Sequence, residues 1–379
     1  MILVLVISFH TNVLTTIFVY DEMRPIKRST SVVDNGGELS LRVDWTNLPP
    51  MSTLAKRIDI SQSRCPPNID DVRFTQYKHL ETGGVGSNMH TFMQALCNAY
   101  ETDSILLTKG PWGWMDSSLC PDVEANDSPM ACYFGKHEAG RSCPLIEEHA
   151  KTLDKNQLPY IFNYVRAKDC SFCPSVVQPG GITVSEWMAA GTEWLFQSVN
   201  PIVVQEAERQ IQEAFPEGLP DPQDLVTVNI RWGDKGYEME LVAIEKYLDA
   251  VKELIKDKPK DSKTYVYLAS EDPRAIEAFK TNAPSEWSIH MSGPKTPEDN
   301  NKITDMTSGK AGLESFGALL LSMQANNYVV TTGSNWSRLI NELRKNIIDP
   351  RCGFCTRLVD LESGEWPKCE GDFLANENK

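Results

Sequence analysis

Length, composition and charge set the first limits on this chain. It has 379 residues, enough for two domains of ordinary size, and its composition is that of a globular protein. It carries 52 acidic against 37 basic residues, a formal net charge of −15. This balance excludes nucleic acid or an anionic membrane surface as the main partner. It does not exclude a local phosphate site, which needs only one or two cations.

The N-terminal part of the chain is predicted to lie outside the folded domains. Residues 1–20 are mostly apolar but are interrupted by His10 and Asn12, and we interpret them as a signal anchor or a signal peptide. Residues 21–70 are polar and contain two Pro-Pro pairs. They are interpreted either as a stem or linker or as an irregular first layer of the domain.

The cysteine count indicates the compartment. The ten cysteines are Cys65, Cys97, Cys120, Cys132, Cys143, Cys170, Cys173, Cys352, Cys355 and Cys369. Most lie in loop-like sequence, which favours disulfide bonds in an oxidising compartment. A minor alternative is a zinc site built from the two Cys-x-x-Cys pairs, which lie far apart in the sequence. We therefore expect a protein of the secretory pathway lumen, either secreted or anchored as a single-pass type II membrane protein.

Residues 71–220 are predicted to form an N-terminal α/β lobe with disulfide-tied loops. A strand leads into a glycine-rich turn, a helix follows over residues 89–100, and a second strand over residues 104–108. Gly84 and Gly86 permit close approach of the backbone to a ligand. The turn is therefore either a ligand loop or a tight connection between a strand and a helix.

Residues 221–379 show strands alternating with helices, which predicts a Rossmann-like parallel sheet with helices on both faces. The β-branched strand over residues 226–230 leads into a loop with two cations and three carboxylates. These charged residues are Arg231, Asp234, Lys235, Glu238 and Glu240. Ligands of open α/β sheets bind beyond the carboxyl ends of the strands, so this loop is a candidate site.

A later strand, over residues 328–332, leads into Gly333, Ser334 and Asn335, which open a helix. Free N–H groups and the helix dipole favour an anion at such a position. Arg231 could neutralise a phosphate bound there. The alternative role for Arg231 is a surface ion pair with Asp234 or Glu238.

Four segments then point to a family by their order and spacing: residues 84–90, 229–235, 268–273 and 324–338. Together they resemble the core α1,6-fucosyltransferase family and its bacterial nodulation relatives, within the fucosyltransferase superfamily. The resemblance implies a two-lobe, GT-B-like inverting glycosyltransferase of the Golgi lumen. It also implies GDP-fucose as donor, a glycan as acceptor, and no requirement for a metal or other cofactor.

The resemblance implies roles for the charged residues after the strand. Arg231 matches the arginine that holds the β-phosphate of the donor, and Lys235 matches a lysine nearby. The general base of the family is a glutamate, and Met239 occupies its position here. Glu238 and Glu240 flank that methionine, so the resemblance leaves both as candidates for the base.

The resemblance also implies a set of donor-binding residues. Ser334 and Asn335 match a pair at the pyrophosphate. The remaining donor-binding positions are Gly84, Gly86, Asn88, His90, Asn229, Asp272 and Gly333. Asn335 also begins a glycosylation sequon with Ser337, which we expect to be unmodified because it lies in the donor loop.

Three positions depart from the family. Trp232 stands where the family has a second arginine, Asn229 where it has a histidine that contacts guanine, and Ala318 where it has an aspartate. These departures keep two alternatives open. One is the same fold with a different nucleotide-sugar donor. The other is a non-catalytic lumenal glycan-binding protein, which Met239 at the base position favours.

Overall fold

Parallel β-sheets covered by helices organise the part of the chain that the structure describes. The computed structural model describes residues 41–79, 83–121, 123, 129–135, 143–153, 158, 173, 175–177, 181–233, 241–259, 262–292 and 309–362. These residues belong to one compact unit, and their strands form a two-stranded and a five-stranded sheet. The α/β prediction, with a parallel sheet in the second half, is confirmed for these residues.

The first half is built around the small sheet. Its helices and strands are α1 (Thr53–Gln62), β1 (Arg73–Lys78), α2 (Val85–Glu101), β2 (Ser104–Lys109), α3 (Ala131–Phe134), α4 (Pro144–Thr152), α5 (Val184–Phe196) and α6 (Pro201–Ala214). The predicted order of strand, helix and strand is observed, and β1 and β2 pair in parallel through the crossover helix α2. α2 is buried on most of its surface, so it is a core helix rather than a surface one.

The second half is built around the five-stranded sheet. Its elements are β3 (Leu225–Ile230), α7 (Ile244–Ile255), β4 (Thr264–Ser270), α8 (Pro273–Asn282), β5 (Trp287–His290), α9 (Lys310–Ser322), β6 (Asn327–Val330), α10 (Asn335–Leu343), a π-helix (Arg344–Ile348), α11 (Asp349–Cys352) and β7 (Arg357–Asp360). All strands are parallel, in the order β5-β4-β3-β6-β7. The order reverses between β3 and β6, and this reversal places the ligand crevice of such sheets there.

The central strand β3 shows why this half needs helices on both faces. Val226, Val228 and Ile230 pack into one apolar cluster with α7 and α8. Leu225 belongs to the cluster on the opposite face, and Thr227 donates a hydrogen bond to Ser322 O of α9 on that side. Both faces of β3 are therefore covered, as in other parallel sheets.

The stem or linker interpretation of residues 21–70 is wrong for residues 41–62. Trp45 and Ile58 are fully buried in the main apolar core, and Arg42 donates hydrogen bonds to Ala325 O and Asn326 Oδ1. The alternative interpretation, a first layer of the domain, fits these residues because their apolar side chains complete the core. Residues 1–40 lie outside the described residues.

The disulfide prediction is confirmed for eight cysteines. The pairs are Cys65–Cys143, Cys97–Cys173, Cys120–Cys132 and Cys352–Cys355. The zinc alternative is wrong, since three of its four proposed thiolates are consumed in these bonds. Cys170 and Cys369 lie outside the described residues. None of the helices that the structure describes has the length and hydropathy of a membrane span.

Candidate active site

A cleft opens beyond the carboxyl ends of β3 and β4, next to the reversal of strand order. It is lined by Val85, Asn229, Ile230, Arg231, Tyr267, Ala269, Ser270, Glu271, Ser292, Ser315, Ala318 and Trp336. Val85 begins α2 and Trp336 lies in the first turn of α10, so both halves of the chain contribute to the cleft. This is the position that the sequence analysis predicts for a ligand.

Arg231 forms part of the cleft wall directly after β3. Ile230 pairs with Ser270 across the sheet, so Arg231 lies beside Glu271 at the end of β4. Arg231 Nη1 is 2.5 Å from Glu271 Oε2, and their side chains are 15% and 51% exposed. Sequence reasoning missed Glu271 as a partner, although the strand register, once known, identifies it. Asp234 and Glu238, the two partners suggested from the sequence, lie outside the described residues.

Two helices begin at this cleft without side-chain caps. α2 follows Gly84 and α10 follows Ser334, and neither N-cap residue makes a capping hydrogen bond. The first backbone bond of each helix comes from its fourth residue, from Asn88 N to Gly84 O and from Arg338 N to Ser334 O. The three preceding amides of each helix therefore have no partner within the helix.

Gly86 brings these two helix N-termini into backbone contact. A Cβ at this position would lie 2.9 Å from Trp336 N and 3.0 Å from Asn335 C. Only glycine permits that approach, so the packing of the two helices requires glycine at position 86. Gly84 has no such restriction, because nothing lies within 4 Å of the corresponding Cβ position. Two positive dipole ends next to Arg231 make an anion-binding environment.

A buried polar network supports the first turn of α10. His90 Nδ1 lies 3.1 Å from Asn335 Oδ1, and His90 Nε2 lies 3.1 Å from Glu342 Oε2. Thr192 Oγ1 donates to the same carboxylate oxygen at 3.0 Å, and Arg338 Nη1 donates to Asn335 Oδ1 at 3.3 Å. The network joins α2, α5 and α10. Sequence reasoning found His90 but missed Glu342 and Thr192, which carry no motif.

Asn88 and Asn229 hold the two strand ends in place. Asn88 Nδ2 donates to Gly83 O at 3.3 Å and to Gly84 O at 3.2 Å, which fixes the glycine turn. Asn229 Oδ1 accepts a 2.8 Å hydrogen bond from Ser337 Oγ, which ties β3 to α10. Of these two predicted donor-binding residues, only Asn229 also lines the cleft.

Asp272 acts as a helix cap in the structure. It is the N-cap of α8, where it accepts from Arg274 N at 2.8 Å and pairs with Arg274 Nη2 at 2.7 Å. The hydrogen bond from the Arg274 side chain lowers the pKa of Asp272 below its usual value. Its carboxylate is engaged in a helix cap, and it is not among the described residues that line the cleft.

The backbone amides of the turn after β6 are engaged in hydrogen bonds within the protein. Gly333 N donates to Glu362 O and Ser334 N donates to Thr331 O, both at 3.0 Å. Ser334 is 2% exposed. Because these amides are already engaged, the donors left for a ligand are those of the first turn of α10.

Trp232 and Ala318, two of the departures from the family pattern, lie at different places around the site. Trp232 Nε1 donates to Val242 O at 2.9 Å, which ties the end of β3 to the segment before α7. Ala318 lines the cleft beside Ser315, where the family carries a carboxylate. Glu314, one turn earlier, has a pKa raised by burial and by the charge of Glu206.

The predicted catalytic residues Lys235, Glu238 and Glu240 lie outside the described residues, so the identity of the general base stays a prediction. Within the described ranges, no group of three or more His, Cys, Asp or Glu side chains could hold a metal ion.

Comparison with known proteins gave similarities at the level of structure. No family model matches the chain, and no curated protein matches it in sequence. It is similar to the crystal structure of fucosyltransferase NodZ from Bradyrhizobium, with 12% identity, a TM-score of 0.42, and coverage of 72% of this chain and 93% of that one. A mutant of Arabidopsis thaliana FUT1 in complex with GDP gives 12% identity, a TM-score of 0.44 and 79% coverage of each chain. The crystal structure of POFUT1 in complex with GDP gives 13% identity, a TM-score of 0.35, and coverage of 76% of this chain and 98% of that one. At these identities and TM-scores the likeness does not establish a family.

Proposed function

We propose that this protein is a GT-B-like glycosyltransferase that binds a nucleotide-sugar donor in the cleft beyond β3. One observation carries the proposal: Arg231 and the abutting, uncapped N-termini of α2 and α10 converge at the reversal of strand order. A diphosphate is the ligand that this combination fits, because its oxygens can accept from both the guanidinium and the helix amides.

The proposed reaction is a single displacement that inverts the anomeric carbon. The acceptor hydroxyl oxygen attacks that carbon while its bond to the donor phosphate oxygen breaks and the electron pair leaves with the diphosphate. Glu238 or Glu240 takes the hydroxyl proton. Arg231 and the first-turn amides of α10 stabilise the charge that grows on the leaving group. These groups supply the positive charge, so we propose that transfer needs no added metal ion.

GDP-fucose is the donor that we propose, with a glycan as acceptor. The sequence motifs at 229–235 and 324–338 support this choice through their resemblance to fucosyltransferases. A different nucleotide is the second candidate, because Asn229 and Ala318 replace two side chains of the family on this wall of the cleft. Calorimetric titration with GDP and UDP distinguishes the two, and we expect GDP to bind more tightly.

We further propose that the protein works in the lumen of the secretory pathway. The four disulfides of the described residues support an oxidising compartment. A fusion of the full chain to a fluorescent reporter tests this, and a cytosolic distribution would contradict it.

Replacing Arg231 with alanine tests the proposed function. We expect Arg231→Ala to lower the rate of fucose transfer by about 10² to 10³, by analogy with the loss of one oxyanion donor. The measurement is transfer from GDP-fucose to a glycan array, with and without a chelator. Arg209→Ala is the matched control, because Arg209 pairs with Glu206 and Glu213 on the exposed face of α6.

Near-full activity of Arg231→Ala would contradict the phosphate role of this residue. A wild-type protein that binds glycans but neither transfers nor hydrolyses the donor would support the alternative of a non-catalytic lumenal glycan-binding protein.

A further inference from the structure

The amide of Asn335 can present either its oxygen or its nitrogen to a bound ligand, and only the nitrogen suits an anion. Asn335 is the first residue of α10, beside the proposed diphosphate position. Which group turns outward is decided by the two partners on the inner side, Arg338 and His90.

Arg338 fixes the orientation of the amide. A guanidinium can only donate, and its Nη1 lies 3.3 Å from the inner amide atom, which must therefore be the acceptor Oδ1. The same oxygen lies 3.1 Å from His90 Nδ1. Because an amide oxygen cannot donate, His90 Nδ1 must carry a hydrogen. The presence of a hydrogen on Nδ1 of this histidine therefore follows from the partners of the ring.

Glu342 completes the arrangement on the other side of the ring. With a hydrogen on Nδ1, the 3.1 Å contact between His90 Nε2 and Glu342 Oε2 requires one shared hydrogen between these two atoms. His90 and Glu342 are 3% and 5% exposed, and Thr192 Oγ1 donates to the same Oε2. Because its hydrogen bonds to Glu342 hold the His90 ring, the ring keeps the Asn335 amide in one orientation.

We propose that His90 and Glu342 are positioning residues that turn the Asn335 amide so that Nδ2 faces the diphosphate of the donor. This inference rests on the proposed function, because the ligand is the one proposed above. The network holds Oδ1 inward and so adds two N–H donors to the first turn of α10. The reverse orientation would set an oxygen against the anion.

Asn335→Asp tests the orientation directly. Aspartate keeps an oxygen for His90 and Arg338 but replaces Nδ2 with a second oxygen, which repels a diphosphate. We expect the melting temperature to stay equal or rise. We expect the Kd for GDP to rise about 10- to 100-fold, the range for the loss of a hydrogen bond to a charged group. Calorimetric titration with GDP and thermal unfolding are the measurements.

Asn341→Asp is the matched control in the same helix. Asn341 Oδ1 accepts from Arg344 Nε and Nη2, so the change again adds a carboxylate beside an arginine, but at the far end of α10. Its Kd for GDP is expected to change less than about twofold, since helix-end charges act mainly within one turn. A lower melting temperature with unchanged GDP binding in Asn335→Asp would overturn the inference.

Nitrogen-15 NMR of the six histidines gives a readout independent of catalysis. His90→Gln assigns the His90 signals. The expected signature is a protonated Nδ1 at neutral pH, in either the neutral Nδ1–H tautomer or the imidazolium. A neutral Nε2–H tautomer with a bare Nδ1 would overturn the inference.

The outcomes also separate this inference from the proposed function. Wild-type protein that binds neither GDP nor UDP contradicts the proposed function and, with it, the ligand assigned to Asn335. Wild-type and Asn335→Asp proteins that bind GDP equally, while Arg231→Ala does not bind it, contradict this inference alone.

Discussion

The helices α8 and α10 both follow strands of the same parallel sheet, yet their N-termini differ. α8 begins with Asp272, whose carboxylate accepts from Arg274 N, and with Pro273, which has no N–H to satisfy. α10 begins after Ser334, which makes no capping bond. An N-terminus that already holds a carboxylate has no need of a second anion. The uncapped one is therefore where we propose that a ligand anion binds.

Placing a carboxylate at the N-terminus of the uncapped helix α10 should give the largest effect of the changes proposed here, a loss of GDP binding. We expect Ser334→Asp to cap α10 internally and to raise the Kd for GDP by up to about 30-fold, since an anion at a helix N-terminus is stabilised by up to ~2 kcal/mol. Calorimetry with GDP measures the loss. Thr183→Asp is the control, because it changes the N-cap of α5, which has a complete capping box. GDP binding that survives in Ser334→Asp would place the diphosphate elsewhere.

Separating the two uncapped helices should give the next effect. A Cβ at Gly86 would press on the backbone of Trp336, which cannot move aside as a side chain could. We expect Gly86→Ala to lower the free energy of unfolding by about 1–3 kcal/mol, the range for overpacking in a close-packed region. Urea unfolding measures this. Gly84→Ala serves as the matched control, and nothing lies within 4 Å of its new methyl group. Equal stabilities of the two variants would contradict the close contact.

Removing the cap from α8 should give the smallest effect. We expect Asp272→Ala to lower the free energy of unfolding by about 1 kcal/mol, as for other N-cap replacements, and to leave the Kd for GDP unchanged. Urea unfolding and calorimetry measure the two quantities. A loss of GDP binding in this variant would instead place Asp272 in the donor site, as the family resemblance implies.

The elements that the sequence predicts well are those with strong apolar patterns. The predicted strand over residues 226–230 is observed as β3, and the predicted helix over residues 89–100 lies within α2. The strands β5 and β7 were not predicted, because they lie at the edges of the sheet and bury few residues. α1 was missed because its neighbouring prolines indicate a linker, whereas its burial depends on contacts with α5 and α2.

The candidate site divides in the same way. Arg231, Gly86 and the turn after β6 could be predicted, because each lies in the short segment between a strand and the next helix or at the start of that helix, where the local sequence indicates a turn. The contact of His90 with Glu342 could not, because it joins α2 to α10 and depends on how the two halves of the chain pack. Glu271 could not either, since its pairing with Arg231 follows from strand register.

The strand order also has a consequence for how this protein folds. β3 is made early in the second half, but its neighbour β6 comes only after α7, β4, α8, β5 and α9, and Val226 pairs with Asn327. Parallel pairings between such distant segments form slowly, because a long loop must close before any contact rewards it. The cleft wall that contains Trp336, at the start of α10, is therefore not in place until β6 docks beside β3. A chain that stalls during synthesis before that point would expose the edge of β3 that later pairs with β6. Such a chain would depend on chaperones at that stage.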